Sequence, residues 1–435
     1  MGQSSLDDAV ASARERFAAA RPRTRALHEQ AQQVMPGGNT RTVLYHQPFP
    51  LRVVRAWDAL LEDADGHVYV DLLGEYSAGL YGHSHPVVVK AMVDAVREGL
   101  SRGAHTHREV LLAEAVCERF PSMERVRFTN SGTEANLLAL SAARVFTGRE
   151  TVVVFEGGYH GGVLSFARGP SPVNAPYDVV VATYNDAASA VALLEAHDVA
   201  CVLVEPMLGS AGCIPGDPAF LHALRDATSR TGALLVLDEV MTSRTGRSGL
   251  QGELGLRPDL TTLGKYVGGG SSFGAFGGRA DVMTLFDPSR ADALAHAGTF
   301  NNNVVSMAAG HAGLTRVYPP DVAERHTRAG DALRARLLDV LAGTPFTVTG
   351  VGSLMALHPT AGPVRTPADV PADKRLLELL FLDLLERGYY VAPRGYLALS
   401  LAVTADQLEG FVDAVSDAVR SRSDLWLQPA GALSG

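Results

Sequence analysis

The sequence predicts an α/β fold with a mainly parallel sheet, and the pattern of apolar runs carries this prediction. Five short apolar runs alternate with helical stretches in the middle of the chain. The runs show little polar–apolar alternation, which is typical of strands that helices bury on both faces of a parallel sheet. The runs are residues 126–128, 152–155, 179–182, 199–204 and 233–237.

Polar residues follow these runs directly, at the ends where a site is expected. A small polar turn at 131–133 follows the first run, and Tyr159 and His160 follow the second. Glu205 follows the fourth run, and Asp238 follows the fifth. Ligands in open α/β sheets bind beyond the carboxyl ends of the strands. The sequence therefore predicts one site along a single edge of the sheet.

The N-terminal part of the chain predicts helix followed by short strands. Residues 8–34 are rich in Ala, Arg, Glu and Gln and predict helix, and the Pro-Gly-Gly sequence at 36–38 breaks the pattern. The stretch 57–73 predicts short strands around a turn at Asp65-Gly66.

A second break, at 317–321, divides the remainder of the chain. A helix, a few strands and further helix at about 371–386 and 405–421 are expected after it. A chain of 435 residues is too long for one simple core, so two domains are expected. We predict a large domain at 72–318 and a small domain made from 1–71 and 319–435.

Composition and charge argue against several classes of function. The net charge of −9 disfavours nucleic acid as a partner, because phosphate binding needs a basic face. No apolar stretch approaches the ~20 residues that span a bilayer, and no secretory signal is visible. Three widely spaced cysteines favour a reducing compartment without disulfides. We therefore expect a cytoplasmic protein that binds neither nucleic acid nor membrane.

One lysine stands apart from the other basic residues. Lys265 lies between a short, largely apolar run at 261–264 and a glycine cluster at 268–270. A lysine in this setting is partly desolvated and open to close approach. Those conditions suit an amine that forms a Schiff base with a carbonyl. A structural lysine is the alternative.

Two further groups complete a set that matches pyridoxal 5′-phosphate (PLP). Asp238 ends an apolar strand, and its carboxylate suits a protonated pyridine nitrogen, which makes the ring an electron sink. The turn Ser131-Gly132-Thr133 precedes a predicted helix at 134–146, where N–H groups and hydroxyls can bind phosphate. The alternatives are a salt bridge or cap for Asp238 and an ordinary helix N-cap for the turn.

Four other residues are candidates for contact with cofactor or substrate. Tyr159 lies between glycines and can lie flat on a cofactor ring, with His160 as a polar neighbour. Arg41 and Arg394 lie in turns from which a guanidinium can bind a carboxylate in a bidentate way. An ordinary surface or packed loop residue is the alternative in each case. Closely spaced histidines lack a companion Cys or carboxylate cluster, so no metal is expected.

The motifs, taken in order, resemble a known family. The motifs lie at 36–41 (PGGNTR), 130–136 (NSGTEAN), 158–161 (GYHG), 237–244 (LDEVMTSR), 263–265 (LGK) and 298–303 (GTFNNN). They are similar to those of the class III, fold type I PLP aminotransferases, in the branch that holds glutamate-1-semialdehyde aminomutase. Within that branch the likeness is to the β-phenylalanine (aromatic β-amino acid) aminotransferases in particular.

The resemblance implies the fold and the cofactor contacts. The fold is that of a type I PLP-dependent transferase, with a large domain and a small α+β domain from both chain ends. Lys265 holds PLP covalently and then moves the proton, and Asp238 pairs with the pyridinium nitrogen. Tyr159 and Val240 cover the two ring faces, and the turn 131–133 holds the phosphate.

The resemblance also implies the surroundings of the ring and the quaternary structure. Glu205 helps to orient groups near the ring, and Tyr76 lines the substrate pocket. Thr299 falls where the family reaches the phosphate of the partner subunit. A homodimer with shared active sites is therefore expected.

Three functions remain open at this stage. The first is transfer of an amino group from a β-amino acid to 2-oxoglutarate or another 2-oxo acid. The second is an intramolecular aminomutase of the glutamate-1-semialdehyde type, although the motifs at 36–41 and 298–303 depart from that enzyme. The third is a PLP-binding protein without catalysis, which the complete set of Lys265, Asp238 and phosphate turn disfavours.

Overall fold

Helices alternate with strands through most of the chain. The structure is a computed structural model that describes residues 2–166 and 171–426. The helices are α1 (Gly2–Ala19), α2 (Pro22–Gln32), α3 (Pro86–Arg97), α4 (His107–Arg119), α5 (Gly132–Thr147), α6 (Ala187–Ala196), α7 (Pro218–Thr231), α8 (Leu250–Glu253), α9 (Ala280–Met283), α10 (Val304–Ala312), α11 (Pro320–Val340), α12 (Arg375–Glu386), α13 (Ala405–Arg420) and α14 (Ser423–Trp426).

The strands divide among four sheets. They are β1 (Val53–Trp57), β2 (Leu60–Asp63), β3 (Val68–Asp71), β4 (Arg125–Thr129), β5 (Thr151–Phe155), β6 (Val179–Ala182), β7 (Val199–Val204), β8 (Met207–Leu208), β9 (Ile214–Pro215), β10 (Leu234–Asp238), β11 (Leu260–Gly264), β12 (Gly274–Gly278), β13 (Thr347–Val351), β14 (Leu354–His358), β15 (Tyr389–Tyr390) and β16 (Tyr396–Ala398).

A seven-stranded sheet in the order β4-β12-β11-β10-β7-β5-β6 forms the centre of the molecule. The strands run parallel except β12, which is antiparallel to both of its neighbours. The five predicted apolar runs form β4, β5, β6, β7 and β10, and every residue of β7 and β10 is buried. The predicted α/β class with a mainly parallel sheet is confirmed.

The five predicted runs did not include two strands of this sheet, β11 and the glycine-rich β12. Glycine has a low preference for strands. Here, however, a side chain at Gly277 would lie 2.3 Å from the carbonyl oxygen of Arg125, and one at Gly278 would lie 2.0 Å from that of Asp259. Close backbone packing therefore requires glycine in this strand.

The two chain ends share one hydrophobic core. The N-terminal strands β1, β2 and β3 form a sheet with the C-terminal β15, which runs parallel to β3. Phe17 and Tyr69 pack in the same buried cluster as Leu380 and Phe411. The predicted small unit from both ends of the chain is therefore present, while the domain bounds 1–71, 72–318 and 319–435 stay a prediction.

Two predicted helices differ in their bounds. The helical stretch 8–34 is divided between α1 and α2 at Pro22, because proline lacks an N–H and begins a helix more readily than it continues one. The predicted helix at 371–386 begins later, at Arg375, whose N–H is bound by the side chain of Asp373. Within the described residues, no helix is long and apolar enough to cross a membrane.

Candidate active site

Lys265 lies directly beyond the carboxyl end of β11, in a tight turn. Its φ of 57° is in the left-handed region, which is costly for a residue with a side chain and recurs at functional sites. The Nζ atom donates a hydrogen bond to the carbonyl oxygen of Tyr76. Burial lowers the pKa of the Lys265 amine to about 8, although the Asp238 carboxylate acts in the opposite direction. More of this amine is therefore neutral near pH 7 than of an exposed lysine, and the neutral form attacks carbonyls.

Asp238 is the last residue of β10 and is 4% exposed. Its Oδ2 atom accepts hydrogen bonds from Asn136 Nδ2 and His160 Nδ1, both at 2.8 Å. Its Oδ1 atom accepts one from the Val240 amide at 3.0 Å. Three donors converge on this carboxyl group, which matches the acceptor-only carboxylate form. The contact with His160 agrees in part with the alternative role of Asp238, a salt bridge. The Asp238 carboxylate also lines the cavity described below.

The turn before α5 presents backbone N–H groups at a helix N-terminus. Ser131 caps α5 by accepting a hydrogen bond from a first-turn amide, so the N-cap alternative also holds. A side chain at Gly132 would lie 2.8 Å from Val240, and one at Gly161 would lie 2.1 Å from Thr133 Oγ1. The two glycines therefore allow close packing around a turn that, with the helix dipole, suits an anion such as phosphate.

One cavity of about 640 Å³ brings these groups together. It lies at the carboxyl edge of the parallel strands, as the sequence predicts. Of the residues that the sequence singles out, its lining contains Ser131, Gly132, Thr133, Tyr159, His160, Glu205, Asp238, Val240 and Lys265.

Glu205 is a buried acid in the wall of this cavity. Its two carboxylate oxygens accept hydrogen bonds from the amides of Tyr159 and Gly209, each at 2.9 Å. Burial raises the pKa of Glu205 to about 7, although His160 acts in the opposite direction. The Tyr159 side chain is 46% exposed, so its ring is free to contact a planar ligand.

The two predicted arginines lie on the ring of Tyr76. The Arg41 guanidinium is 5.8 Å from the ring centre, and that of Arg394 is 5.1 Å away. Arg41 forms an ion pair with Glu75 at the rim of the cavity, and Arg394 donates a hydrogen bond to Ser210 at 3.3 Å. Tyr76 and the two arginines do not line the cavity of Lys265; Arg394 lines a separate cavity with Ser210, and Tyr76 is joined to the lysine through its carbonyl oxygen.

The backbone around Tyr76 has an unusual conformation. Gly74, Glu75, Tyr76 and Ser77 all have positive φ angles, of 53°, 48°, 51° and 77°. Such angles are uncommon outside glycine, and each costs free energy that the surrounding packing must offset. The Tyr76 side chain is held by a stack on Tyr396 at 5.5 Å and by a hydrogen bond from its hydroxyl to the Val43 carbonyl at 3.1 Å.

Thr299 does not line the cavity of its own chain. It lies in an exposed turn beside Phe300, whose side chain is 64% exposed. The same loop is anchored near the phosphate turn, because Asn301 accepts a hydrogen bond from Asn130 at 2.9 Å. The structure thus separates Thr299 from the other predicted cofactor contacts.

Asn136 and Thr262 contribute to the site and were not assigned a role from the sequence. Asn136 is fully buried on α5 and contacts Asp238, and its Oδ1 atom accepts a hydrogen bond from Thr262 at 2.7 Å. Asn136 lies one helical turn after Gly132, on the same face of α5. This spacing from the phosphate turn was the sequence feature that could have indicated a role for Asn136.

These residues fit PLP. The cavity contains a buried carboxylate that suits a pyridinium nitrogen and an amine with a lowered pKa. It also contains a helix N-terminus that suits an anion, where glycines allow close packing of the backbone. Within residues 2–166 and 171–426, no group of three or more His, Cys, Asp or Glu side chains is arranged to hold a metal ion.

The fold and the site are those of a PLP-dependent aminotransferase. The sequence profile of the family "Aminotransferase class-III" matches residues 43–419. The chain therefore belongs to the class-III aminotransferases, and its cofactor is pyridoxal 5′-phosphate. The resemblance stated from the motifs is confirmed.

Relatives of known name span nearly the whole chain. The β-phenylalanine transaminase of Variovorax paradoxus is 53% identical over 420 residues, which cover 95% of this chain and 96% of that protein. A crystal structure of a β-phenylalanine aminotransferase from Variovorax paradoxus superimposes with a TM-score of 0.95 at 52% identity, covering 97% and 99% of the two chains. A glutamate-1-semialdehyde 2,1-aminomutase of Sorangium cellulosum is 38% identical over 424 residues, covering 92% and 96%.

Proposed function

We propose that this chain transfers the amino group of an aromatic β-amino acid, such as β-phenylalanine, to a 2-oxo acid such as 2-oxoglutarate. The observation that carries the proposal is the pair of guanidinium groups on Tyr76, next to the carbonyl that binds Lys265. Two arginines suit a site that must accept a monocarboxylate and a dicarboxylate in turn. The similarity to the Variovorax paradoxus transaminase supports the choice of amino donor.

Lys265 has two tasks in this proposal. PLP, when bound, supplies an electrophilic carbonyl carbon and an electron sink for the substrate's amino-bearing carbon. The neutral Nζ atom of Lys265 holds the cofactor until the donor displaces it, and burial favours that neutral form. The freed Nζ then takes the proton from the amino-bearing carbon, a step for which a placed base contributes ~10²–10⁴-fold.

The remaining contacts orient the cofactor. We assign Asp238 to the pyridinium nitrogen, Ser131-Gly132-Thr133 to the phosphate, and Tyr159 and Val240 to the two ring faces. His160 Nδ1 lies 2.8 Å from the Asp238 carboxylate and helps to orient it. Glu205 fixes the Tyr159 backbone through the 2.9 Å hydrogen bond to its amide.

The two arginines divide the recognition of carboxylates. Arg41 binds the carboxylate that both substrates share, and that carboxylate displaces Glu75 from the guanidinium. Arg394 binds the second carboxylate of the acceptor and moves aside when an aromatic ring takes its place. The contact of Arg394 with Ser210 is a single hydrogen bond of 3.3 Å, which is weak enough to break during this exchange.

Substitution of each arginine should therefore affect the half-reactions differently. Truncation of a desolvated charged contact costs roughly 2–5 kcal/mol. Arg41 is exposed in this chain, so we expect the cost of Arg41→Ala to be near the low end of this range. A cost of about 2 kcal/mol corresponds to a rate loss of roughly 30-fold in both half-reactions. Arg394→Ala should slow mainly the half-reaction with 2-oxoglutarate and spare the one with β-phenylalanine, as measured by stopped flow.

A remote arginine provides the matched control for these variants. Arg336 pairs with Glu409 on the surface, and Arg336→Ala should leave both half-reactions unchanged. Equal losses in both half-reactions for Arg394→Ala would reject the division of labour. Full activity of Arg41→Ala would show that Arg41 is an ordinary surface arginine without a role in substrate binding.

Supply of the amino acceptor separates a transaminase from an aminomutase. The PLP-loaded enzyme given β-phenylalanine alone should convert no more than one equivalent per active site and then stop. Addition of 2-oxoglutarate should restart the reaction. Continued conversion of an amino substrate without any acceptor would instead support the aminomutase alternative, which the 38% identity to such an enzyme keeps open. Failure to convert any donor would favour a PLP-binding protein without catalysis.

We further propose that the active unit is a homodimer with shared sites. Thr299 lies outside the cavity of its own chain, in a loop tied to the phosphate turn through Asn301. Exposed apolar side chains extend along α3, where Val89, Val93 and Val96 are 43%, 40% and 48% exposed. An apolar helix face of this kind favours contact with a second copy of the chain. In that dimer Thr299 reaches the phosphate in the partner's site.

Mixed dimers test the sharing of residues across the interface. Thr299→Ala and Lys265→Ala chains should each be impaired alone when PLP is limiting. After mixing by mild unfolding and refolding, half of the dimers are hybrids in which one of the two sites is complete. We therefore expect recovery of about a quarter of the wild-type activity. No recovery in a mixture that sedimentation shows to contain hybrids would confine Thr299 to its own chain's site.

Two further assignments complete the proposal. We assign the protein to the cytoplasm, which the unpaired Cys117, Cys201 and Cys213 support because a reducing compartment keeps thiols free. We assign residues 72–318 to the cofactor-binding domain and the two chain ends to the small domain, which the core shared by Phe17 and Phe411 supports.

A further inference from the structure

Asn136 joins four segments of the chain at one buried point. The Nδ2 atom donates to Asp238 Oδ2 at 2.8 Å and to the carbonyl oxygen of His160 at 3.0 Å. The Oδ1 atom accepts from Thr262 Oγ1 at 2.7 Å. Asn136 and Thr262 are fully buried, and Asp238 and His160 are 4% and 2% exposed. The amide of Asn136 thus uses both of its ends inside the protein.

The acceptors around this amide fix its orientation. The Asp238 carboxylate and the His160 carbonyl can only accept, so the amide nitrogen faces them and the Thr262 hydroxyl donates to the amide oxygen. Asp238 and Thr262 are register partners on the adjacent parallel strands β10 and β11. Asn136 therefore contacts the ends of two neighbouring strands, one that ends in Asp238 and one that leads to Lys265 three residues later.

The same residue connects the carboxylate to the phosphate turn. Asn136 lies on α5 one helical turn after Gly132, the first residue of that helix. A helical turn between the two is rigid, so a hydrogen bond from Asn136 to Asp238 sets the separation of the carboxylate from the helix N-terminus. The predicted anchors for the two ends of PLP are then held at a fixed distance.

We propose that Asn136 is a positioning residue that holds the Asp238 carboxylate, by hydrogen-bond donation, at a fixed distance from the phosphate turn. Asn136 touches neither substrate nor the reacting carbon in this role; it acts through Asp238 and His160. The proposal rests on the proposed pairing of Asp238 with the pyridinium nitrogen. It adds that the donor atom of Asn136, and not its volume alone, is required.

Asn136→Asp provides the decisive variant because it preserves size and shape but removes the donor. Once ionised it places a second carboxylate against Asp238 and the His160 carbonyl, and burial beside a like charge raises the pH at which it ionises. We expect single-turnover rates with β-phenylalanine to fall by about 10- to 100-fold, the range for loss of one hydrogen bond to a charged group. As the pH falls, the introduced carboxyl group gains a proton and can donate again, so the deficit relative to wild type should shrink.

Two readouts that do not depend on turnover accompany the rates. The affinity of the apoenzyme for PLP, measured by fluorescence titration, should fall by roughly 10-fold or more in Asn136→Asp. The pH midpoint of the absorbance of lysine-linked PLP should shift from its wild-type value. Because the added carboxyl group of Asn136→Asp can itself move both readouts, a variant that adds no charge must move them in the same direction.

Two more variants keep the test decisive. Thr262→Val has the shape of threonine but leaves the buried Asn136 oxygen without its donor, and should shift the same readouts in the same direction by about 3- to 10-fold. If Asn136→Asp does not fold, the readouts of Thr262→Val test the role of Asn136. Ser141→Ala is the control, because Ser141 lies on the same helix and its hydroxyl donates to the Leu137 carbonyl at 2.9 Å, within the helix itself.

The outcomes separate this inference from the proposed function. Wild-type single-turnover rates, PLP affinity and absorbance profile in Asn136→Asp, or in Thr262→Val should the first fail to fold, would overturn the role of Asn136. If Asp238→Asn slows the chemistry while Asn136→Asp leaves it unchanged, only the role of Asn136 fails. If neither variant slows the chemistry, the assignment of Asp238 fails with it.

Discussion

Lys265→Ala should abolish turnover and the covalent link between protein and PLP. The variant loses both the amine that captures the cofactor and the base that moves the proton, so we expect a loss of at least about 10⁴-fold in kcat. PLP should still bind through the phosphate turn, because that turn does not involve Lys265. Absorbance of the lysine-linked cofactor and borohydride trapping, followed by mass spectrometry, measure the two effects.

An exposed lysine serves as the control for this experiment. Lys90 pairs with Asp94 on the surface of α3, and Lys90→Ala should keep both the absorbance and the activity. A borohydride-reducible link that survives in Lys265→Ala would show that another amine holds the cofactor, and would reject the assignment of Lys265.

Asp238→Asn should leave PLP bound but slow the removal of the proton. An amide stabilises a pyridinium less than a carboxylate does, so the electron sink weakens. We expect single-turnover rates to fall on the order of 100-fold or more, comparable with removal of one preorganised charge from an active site. Stopped-flow absorbance after mixing with β-phenylalanine provides the rate, and equilibrium titration provides the affinity for PLP.

Asp259 is a matched carboxylate for comparison with Asp238. It is 5% exposed and lies at the opposite end of the sheet, before β11, where it binds Arg225 at 2.8 Å and Arg279 at 2.9 Å. Asp259→Asn should lower the melting temperature, because it weakens these contacts, and leave the single-turnover rate unchanged. A wild-type rate in Asp238→Asn would show that another group supports the electron sink.

The sequence predicted the sheet and the edge that carries the site. Apolar runs such as 199–204 are buried along their whole length, and polar residues placed directly after such runs must meet at one edge. For this reason Asp238 and the turn 131–133 are expected at one edge of the sheet. Lys265 was assigned instead from its local setting and from the motif resemblance, because β11 was not among the predicted runs.

The features that the sequence did not predict depend on contacts between distant segments. β12 consists largely of glycine because of backbone packing against Arg125 and Asp259, and glycine alone indicates a turn as readily as a strand. A single asparagine such as Asn136 has the same appearance in sequence whether it faces solvent or a buried carboxylate.

In the left-handed turn at 74–77, mutations that raise the stability of the protein are expected to lower its activity. A non-glycine residue in that conformation costs roughly 1–2 kcal/mol, so Glu75→Gly or Ser77→Gly would relieve strain and is the kind of change that a screen for heat resistance selects. The same turn, however, holds the Tyr76 carbonyl against the Lys265 amine and presents its ring to both arginines. Heat-resistant variants selected at these positions should therefore lose control of substrate choice before they lose their fold.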